Sequence, residues 1–254
     1  MPDIQKSIKR LYVLTPFKDK NSKLLKKTIK SLSKNRTNTR IYQLIIYDKS
    51  SKELILKLKK ETITNKNRNY YFIKFIQANS DGIYSALNEG LNLIPQNSYY
   101  MVIGAGDLFS EIKSSLKTSK NKIIFLPYKL SCSREKRYIK EIRNIYGGMP
   151  YCHNAIAYMN DGSKYESNYK ISADYDHFLK YVKNYNLTKQ IMLQSFQECI
   201  YIEFESRFGL SSQSRISRNL ENIKIIYRFF GFTQIILYCL QILKKVINNF
   251  WKEN

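Results

Sequence analysis

Tyr70-Tyr71-Phe72-Ile73-Lys74-Phe75-Ile76, then Asp81-Gly82-Ile83-Tyr84-Ser85-Ala86-Leu87-Asn88-Glu89-Gly90, then Tyr99-Tyr100-Met101-Val102-Ile103-Gly104-Ala105-Gly106-Asp107 is the stretch that decides the fold. The first and third pieces are short apolar, aromatic-rich runs, which read as strands. Between them Ile83, Leu87, Leu91 and Ile94 recur at helical spacing. Strand, helix, strand in this order is the unit of a parallel sheet, with the helix as the crossover.

The pattern extends outward on both sides. Upstream, residues 11–14 form an apolar run that Thr15-Pro16 should end, and Asn21-Ser22 are placed to cap a helix reaching Ser33. Residues 41–47 read as the next strand, with Asp48 directly after it, and residues 53–61 as a helix. Downstream, residues 123–126 read as a fifth strand. Residues 129–142 look like a strand pair or a loop, residues 174–185 like a helix, and residues 199–204 like a strand. Ligands of open parallel sheets bind beyond the carboxyl ends of the strands. Thr15, Asp48, Asp81 and Asp107 all fall just past expected strands, so topology alone gathers four polar residues at one sheet edge.

Composition bounds the rest. A chain of 254 residues with 43% apolar and 14% aromatic content builds one large globular domain. Four cysteines, Cys132, Cys152, Cys199 and Cys239, include no Cys-x-x-Cys pair, which argues against a zinc site or a disulfide framework and fits a reducing cytosol. Residues 1–10 lack the apolar core of a signal peptide. The net charge is +23; it suits a polyanion, an anionic membrane or an anionic small substrate. The lysines spread along the whole chain rather than forming one stripe, and most of the 21 tyrosines lie in strand-like runs where burial accounts for them.

Residues 225–251 carry apolar positions at helical spacing and end in Phe250-Trp251. Lys224, Arg228, Gln234, Gln241, Lys245 and Lys252 fall opposite. The longest apolar run, residues 235–240, is far short of the roughly 20 residues needed to span a bilayer. Such a basic amphipathic helix fits an interfacial membrane helix; packing on the domain itself, or on a second copy in a homodimer, fits the same pattern.

Several short segments in order resemble the family-2 glycosyltransferases of the GT-A fold, in the branch that builds colanic acid, capsule and O-antigen. They are the residue 81–90 segment followed by Gly104-Ala105-Gly106-Asp107; Tyr47-Asp48-Lys49-Ser50-Ser51; Pro150-Tyr151-Cys152-His153-Asn154; Ile171-Ser172-Ala173-Asp174-Tyr175-Asp176; and Phe208-Gly209-Leu210-Ser211-Ser212. The resemblance covers about residues 8–215. It implies a catalytic domain over residues 1–215; residues 216–254 then form a helical tail, for which the amphipathic pattern leaves membrane association and protein packing both open. It implies inverting transfer of a sugar from a nucleoside-diphosphate donor to a glycan or lipid-linked acceptor, in surface-polysaccharide or lipopolysaccharide synthesis, as a hexosyltransferase.

It also implies roles. Asp174 is the general base, the group any such transfer needs to take the acceptor proton. Thr15, Pro16, Asp48, Asp81, Asn88 and Arg207 are expected at the nucleotide-sugar. Asp107 and His153 are the metal candidates for Mg2+ or Mn2+, ions that suit carboxylate and diphosphate oxygens. The family's Asp-x-Asp turn is degenerate here, with one carboxylate, so metal use is expected to be weak or dispensable. The expected partners are the donor, the acceptor and the anionic inner face of a membrane, with no nucleic acid; the expected location is cytoplasmic and peripheral. Two other readings stand beside this one: a basic protein binding RNA or another polyanion, and a nucleotidyltransferase on a related sheet. The latter would want a Gly-rich phosphate loop that the sequence lacks.

Overall fold

The computed structural model describes residues 6–7, 10–18, 22–34, 39–63, 70–110, 117–118, 122–130, 136–137, 145–185, 202–204 and 214–253. In chain order the strands are β1 (Lys6–Ser7), β2 (Arg10–Phe17), β3 (Arg40–Tyr47), β4 (Tyr71–Gln77), β5 (Tyr99–Val102), β6 (Leu108–Phe109), β7 (Lys117–Thr118), β8 (Ile123–Phe125), β9 (Tyr128–Leu130), β10 (Lys136–Arg137), β11 (Ile156–Met159) and β12 (Ile202–Phe204). The helices are α1 (Lys23–Ser33), α2 (Lys52–Ile63), α3 (Ile83–Leu91), α4 (Ala173–Asn184), α5 (Arg215–Phe230) and α6 (Phe232–Glu253).

Six strands form the central sheet in the order β4-β3-β2-β5-β11-β8. β4, β3, β2 and β5 run parallel, and only β11 is reversed, pairing antiparallel with both β5 and β8. A four-stranded sheet, β10-β9-β12-β6, lies beside it. The expected α/β class and mostly parallel sheet are therefore present.

Alternation along the strands builds two cores. Phe17, Ile45 and Tyr47 pack with Leu25 and Ile29 of α1 and Ile55 and Leu58 of α2. Leu14, Leu44 and Ile46 belong to the larger core, which includes Leu87 and Leu91 of α3 and Phe178 and Val182 of α4. Period-two side-chain direction thus puts helices on both faces. Gly90 makes the closest approach. A Cβ there would stand 2.6 Å from Ile46 Cδ1 and 2.7 Å from Leu14 Cδ2, so glycine lets α3 lie directly on the sheet. Many of the tyrosines are structural: Tyr12, Tyr42 and Phe72 stack across three strands with ring centroids 5.1 and 4.7 Å apart.

Two sequence expectations fail here for physical reasons. Thr15-Pro16 does not end its strand; β2 continues through both to Phe17 in register with β3. The other neighbour, β5, pairs only as far as Leu14, so the hydrogen that Pro16 lacks has no partner there to lose. The carboxyl-terminal amphipathic segment is not one helix. It breaks at Gly231, whose φ of +80° suits glycine, giving the antiparallel pair α5 and α6. Nor is α5 detached: Ile225 and Ile226 are fully buried, and Tyr238 of α6 bonds Asn219 and Asn222 of α5. Buried Asp176 of α4 holds Lys180 at 2.8 Å and Arg228 of α5 at 3.1 Å. Arg228, expected on the basic face opposite the apolar one, anchors α5 to α4. Among the described residues no helix is long and apolar enough to cross a membrane.

Candidate active site

The carboxyl edge of the parallel strands carries the expected polar turns, and each is built differently. The turn after β5 is fixed from α1. Thr28 Oγ1 donates to the Asp107 carbonyl at 2.9 Å and accepts from the Gly106 N–H at 2.9 Å, where φ is +108°. The Asp107 side chain is buried. Its Oδ2 accepts from the Gly104 N–H at 2.9 Å and from the Asn154 amide at 2.6 Å. Asn154 sits in the short 3-10 turn of residues His153–Ala155, just before β11. Because β11 runs antiparallel to β5, its start lies at the carboxyl end of β5, which delivers Asn154 to Asp107. Nothing in the sequence singles out Asn154, though it adjoins His153 in one of the family-like segments.

His153 does not join Asp107 as a ligand pair. Its Nε2 meets the Tyr165 hydroxyl at 3.2 Å and its Nδ1 the Tyr158 hydroxyl at 3.5 Å. Burial pulls its pKa down to about 4, so at neutral pH it is an uncharged ring and carries no cation to a diphosphate. Among the described residues no three His, Cys, Asp or Glu side chains gather as a metal cage. The donor set does not fit an ion held by the protein alone: Asp107 offers one carboxylate, already accepting two bonds, and His153 is turned to tyrosines.

Asp48 directly follows β3 and caps the 3-10 turn Lys49–Ser51, accepting from the Ser50 N–H at 2.8 Å. That bonding to Ser50, with Lys18 3.6 Å away, holds its carboxyl below the usual range. Thr15 is fully buried within the sheet, where its Oγ1 accepts from Gln43 at 2.8 Å, while Pro16 lies one residue nearer the edge. Sheet pairing therefore engages Thr15, and its side chain is not at a ligand surface. Asp81 is exposed and does not cap α3; the cap position is Gly82. Arg207 lies outside the described residues.

The residue 81–90 motif is mainly architectural. Asn88 clips the Tyr165 backbone at both ends, donating to its carbonyl at 2.9 Å and accepting its N–H at 2.8 Å. This engagement makes Asn88 a clamp on the neighbouring loop rather than a reaching ligand group. Glu89 accepts the N–H groups of Asn79 and Ser80 and so shapes the loop holding Asp81. Tyr84 donates to the Ile171 carbonyl at 2.6 Å, at the entrance to α4.

Asp174 lies in the first turn of α4, half-buried, its Oδ1 accepting the Tyr175 N–H at 2.8 Å. Burial lifts its pKa to about 6; the Glu221 charge adds to the rise, and bonds from backbone N–H groups and the Arg218 charge oppose it. Tyr84, Tyr158 and Tyr165 all feel its charge. The Cys152 thiol, pushed by burial to about 12, feels both Asp107 and Asp174. Both carboxylates therefore lie within electrostatic reach of Cys152. A wall of contacts links them, with Tyr84 on Tyr165 at 5.7 Å, Tyr165 on His153, and Asn154 on Asp107. Asp176, two residues on, faces α5 instead.

Comparison with solved structures decides the fold. S. aureus TarS (residues 1–349) superposes with a TM-score of 0.54 at 11% identity, covering 87% of this chain and 66% of that one. The mannosyltransferase PcManGT from Pyrobaculum calidifontis, in complex with GDP-Man and Mn2+, superposes with a TM-score of 0.55 at 10% identity, covering 90% and 67%. The architecture is the GT-A fold. The chain spans about two thirds of the length of these GT-A structures. No protein-family profile matches the sequence, and no curated protein matches it. Asp48 and Asp107 follow parallel strands, at the edge where the topology of such a sheet opens a ligand crevice.

Proposed function

We propose that this chain is an inverting glycosyltransferase of the family-2 type. It moves a hexose from a nucleoside-diphosphate sugar to a hydroxyl of a glycan or lipid-linked acceptor in surface-polysaccharide synthesis. The observation that carries the reading is two carboxylates: Asp107 tied down by Asn154, and Asp174 half-buried in the first turn of α4 with a pKa raised to about 6. A carboxyl tuned toward neutrality is what a general base requires. In the reaction the acceptor oxygen forms a bond to the anomeric carbon as that carbon's bond to the diphosphate oxygen breaks. The electron pair leaves with the nucleoside diphosphate, and the acceptor proton passes to Asp174. Asp48 and Asp81 are the proposed contacts to the nucleoside and donor, with Pro16 beside them; Arg207 is a proposed donor contact on the resemblance alone.

Mg2+ or Mn2+ typically binds through one or two carboxylates plus substrate phosphates; here Asp107 would hold such an ion together with the donor's phosphates, and the ion would supply charge stabilisation to the departing diphosphate. The mannosyltransferase of like fold, solved in complex with GDP-Man and Mn2+, supports this chemistry. Nucleoside-diphosphate release from a panel of UDP-, GDP- and dTDP-sugars tests the reading.

The proposed place of action is an anionic membrane surface on its cytoplasmic side. α6 turns Ile236, Leu240, Leu243 and Ile247 outward, each about half exposed, while Gln234 and Gln241 lie on its protein-facing side. A helix with its apolar stripe outward invites a cover. The net charge of +23, with exposed Lys224 and Lys244 on the same two helices, favours anionic lipid, where each basic residue is worth about 1 kcal/mol.

A further inference from the structure

Glu221 on α5 spends its carboxylate on the backbone that leads into α4. It accepts the N–H groups of Lys170 at 2.8 Å, Ile171 at 3.0 Å and Ser172 at 2.8 Å. Ser172 is the cap position of α4, and its own side chain makes no cap bond. The first N–H groups of a helix otherwise lack partners, and a negative charge there suits the helix dipole. The same segment is gripped from the other side by Tyr84 of α3, which takes the Ile171 carbonyl. Residues 170–172 are therefore clamped between two helices, two residues before Asp174.

We propose that Glu221 is a positioning residue for the sugar-transfer reaction: by fixing the entrance of α4 it aims the Asp174 carboxylate at the acceptor hydroxyl. This rests on the reading of Asp174 as the general base. The geometry gives the carboxyl-terminal helices a role in turnover. Glu221 also acts through charge, because it raises the pKa of Asp174. The other charged or titratable groups facing Asp174 are Arg218 of α5, which opposes that rise, Tyr84 of α3, Tyr165 of the loop before α4, Tyr158 of β11 and Cys152.

The test uses the full chain with Glu221→Gln and Glu221→Asp, read as nucleoside-diphosphate release from the sugar nucleotides it accepts. Glu221→Gln keeps an acceptor oxygen and the shape but removes the charge. Its kcat falls about 10- to 100-fold, the usual effect of a displaced catalytic group. Donor KM is unchanged, and the acid limb of its pH–rate profile moves to lower pH, since a like charge near the base is gone. Glu221→Asp keeps the charge with shorter reach, so kcat falls while the acid limb stays. Wild-type kcat and pH profile in Glu221→Gln would overturn the proposal. So would a loss of kcat and donor affinity together with a lowered Tm and an unmoved pH limb, which marks a purely structural cap. Full turnover in Asp174→Asn is a different outcome, because it removes the base itself and with it the underlying reading.

Discussion

The Asn154 amide donates to Asp107 Oδ2 at 2.6 Å, joining the turn after β5 to the turn before β11. This contact crosses from the parallel part of the sheet to its reversed strand, so the carboxylate proposed to face the leaving group is held from both. It also makes Asp107 a structural acceptor as well as a site residue.

Asp107→Ala should abolish transfer and also destabilise the fold. The Asn154 amide and the Gly104 N–H lose their acceptor, and an unpaired buried donor costs about 1–3 kcal/mol. Asn154→Ala should retain turnover but weaken donor-induced thermal stabilisation, since Asp107 then loses its tie to the turn before β11. Thermal melts with and without UDP- and GDP-sugars check both, and a melt of Asp107→Ala equal to wild type would contradict the double role.

Acid should destabilise the protein with a slope that Asp174 partly masks. His153 and His177 are held neutral by burial, with pKa values of about 4 and about 3. Their depressed values contribute stability present above the unfolded-state value near 6.5 and lost as pH falls below it. Asp174, raised to about 6, works in the opposite sense: below pH 6 the folded state takes up its proton first. Two protons favour unfolding and one opposes it, so stability falls between pH 6 and 5, but less steeply than the two histidines alone would dictate. In Asp174→Asn the offset is gone and the slope steepens. Denaturant melts across that window check the ratio of slopes.

Much of the fold was legible because hydrophobic period alone separates strand from helix, and residues 10–107 keep a clean alternation of β2 to β5 with α1 to α3. The edge carrying Asp48 and Asp107 followed from topology. What was not legible depends on contacts distant in sequence. Thr15 reads as a strand-end residue, but its partner Gln43 is 28 positions away, in β3. Asn88 reads as a site residue, yet its amide closes on Tyr165. Glu221 carries no local signal, and Asn154 only its place in a family-like segment. An acceptor for backbone N–H groups 49–51 residues earlier, as Glu221 is, depends on how α5 docks. The helix break was visible in principle, since Gly231 stands alone inside an otherwise periodic segment.

The outward apolar stripe of α6 should bind anionic bilayers. The full chain should sediment with phosphatidylglycerol vesicles, be partly released by salt, and stay in solution with phosphatidylcholine vesicles. Leu240→Glu with Leu243→Glu should abolish sedimentation without loss of nucleoside-diphosphate release. A chain that ignores both vesicles and runs as a dimer, dissociated by the same pair of changes, would assign the stripe to a second copy instead.

Turnover of a sugar nucleotide with Asp174 as base is the central claim. The most direct measurement is the pH dependence of nucleoside-diphosphate release by wild type and Asp174→Asn, alongside donor binding by thermal shift. At least one donor should stabilise both proteins, and wild-type release should rise through an acid limb near pH 6, where burial holds the Asp174 carboxyl. Release by Asp174→Asn should fall roughly 10²–10⁴-fold with donor binding intact. No stabilisation or turnover with any donor, together with tight RNA binding that collapses with salt, would contradict the claim and return the basic charge to a polyanion partner.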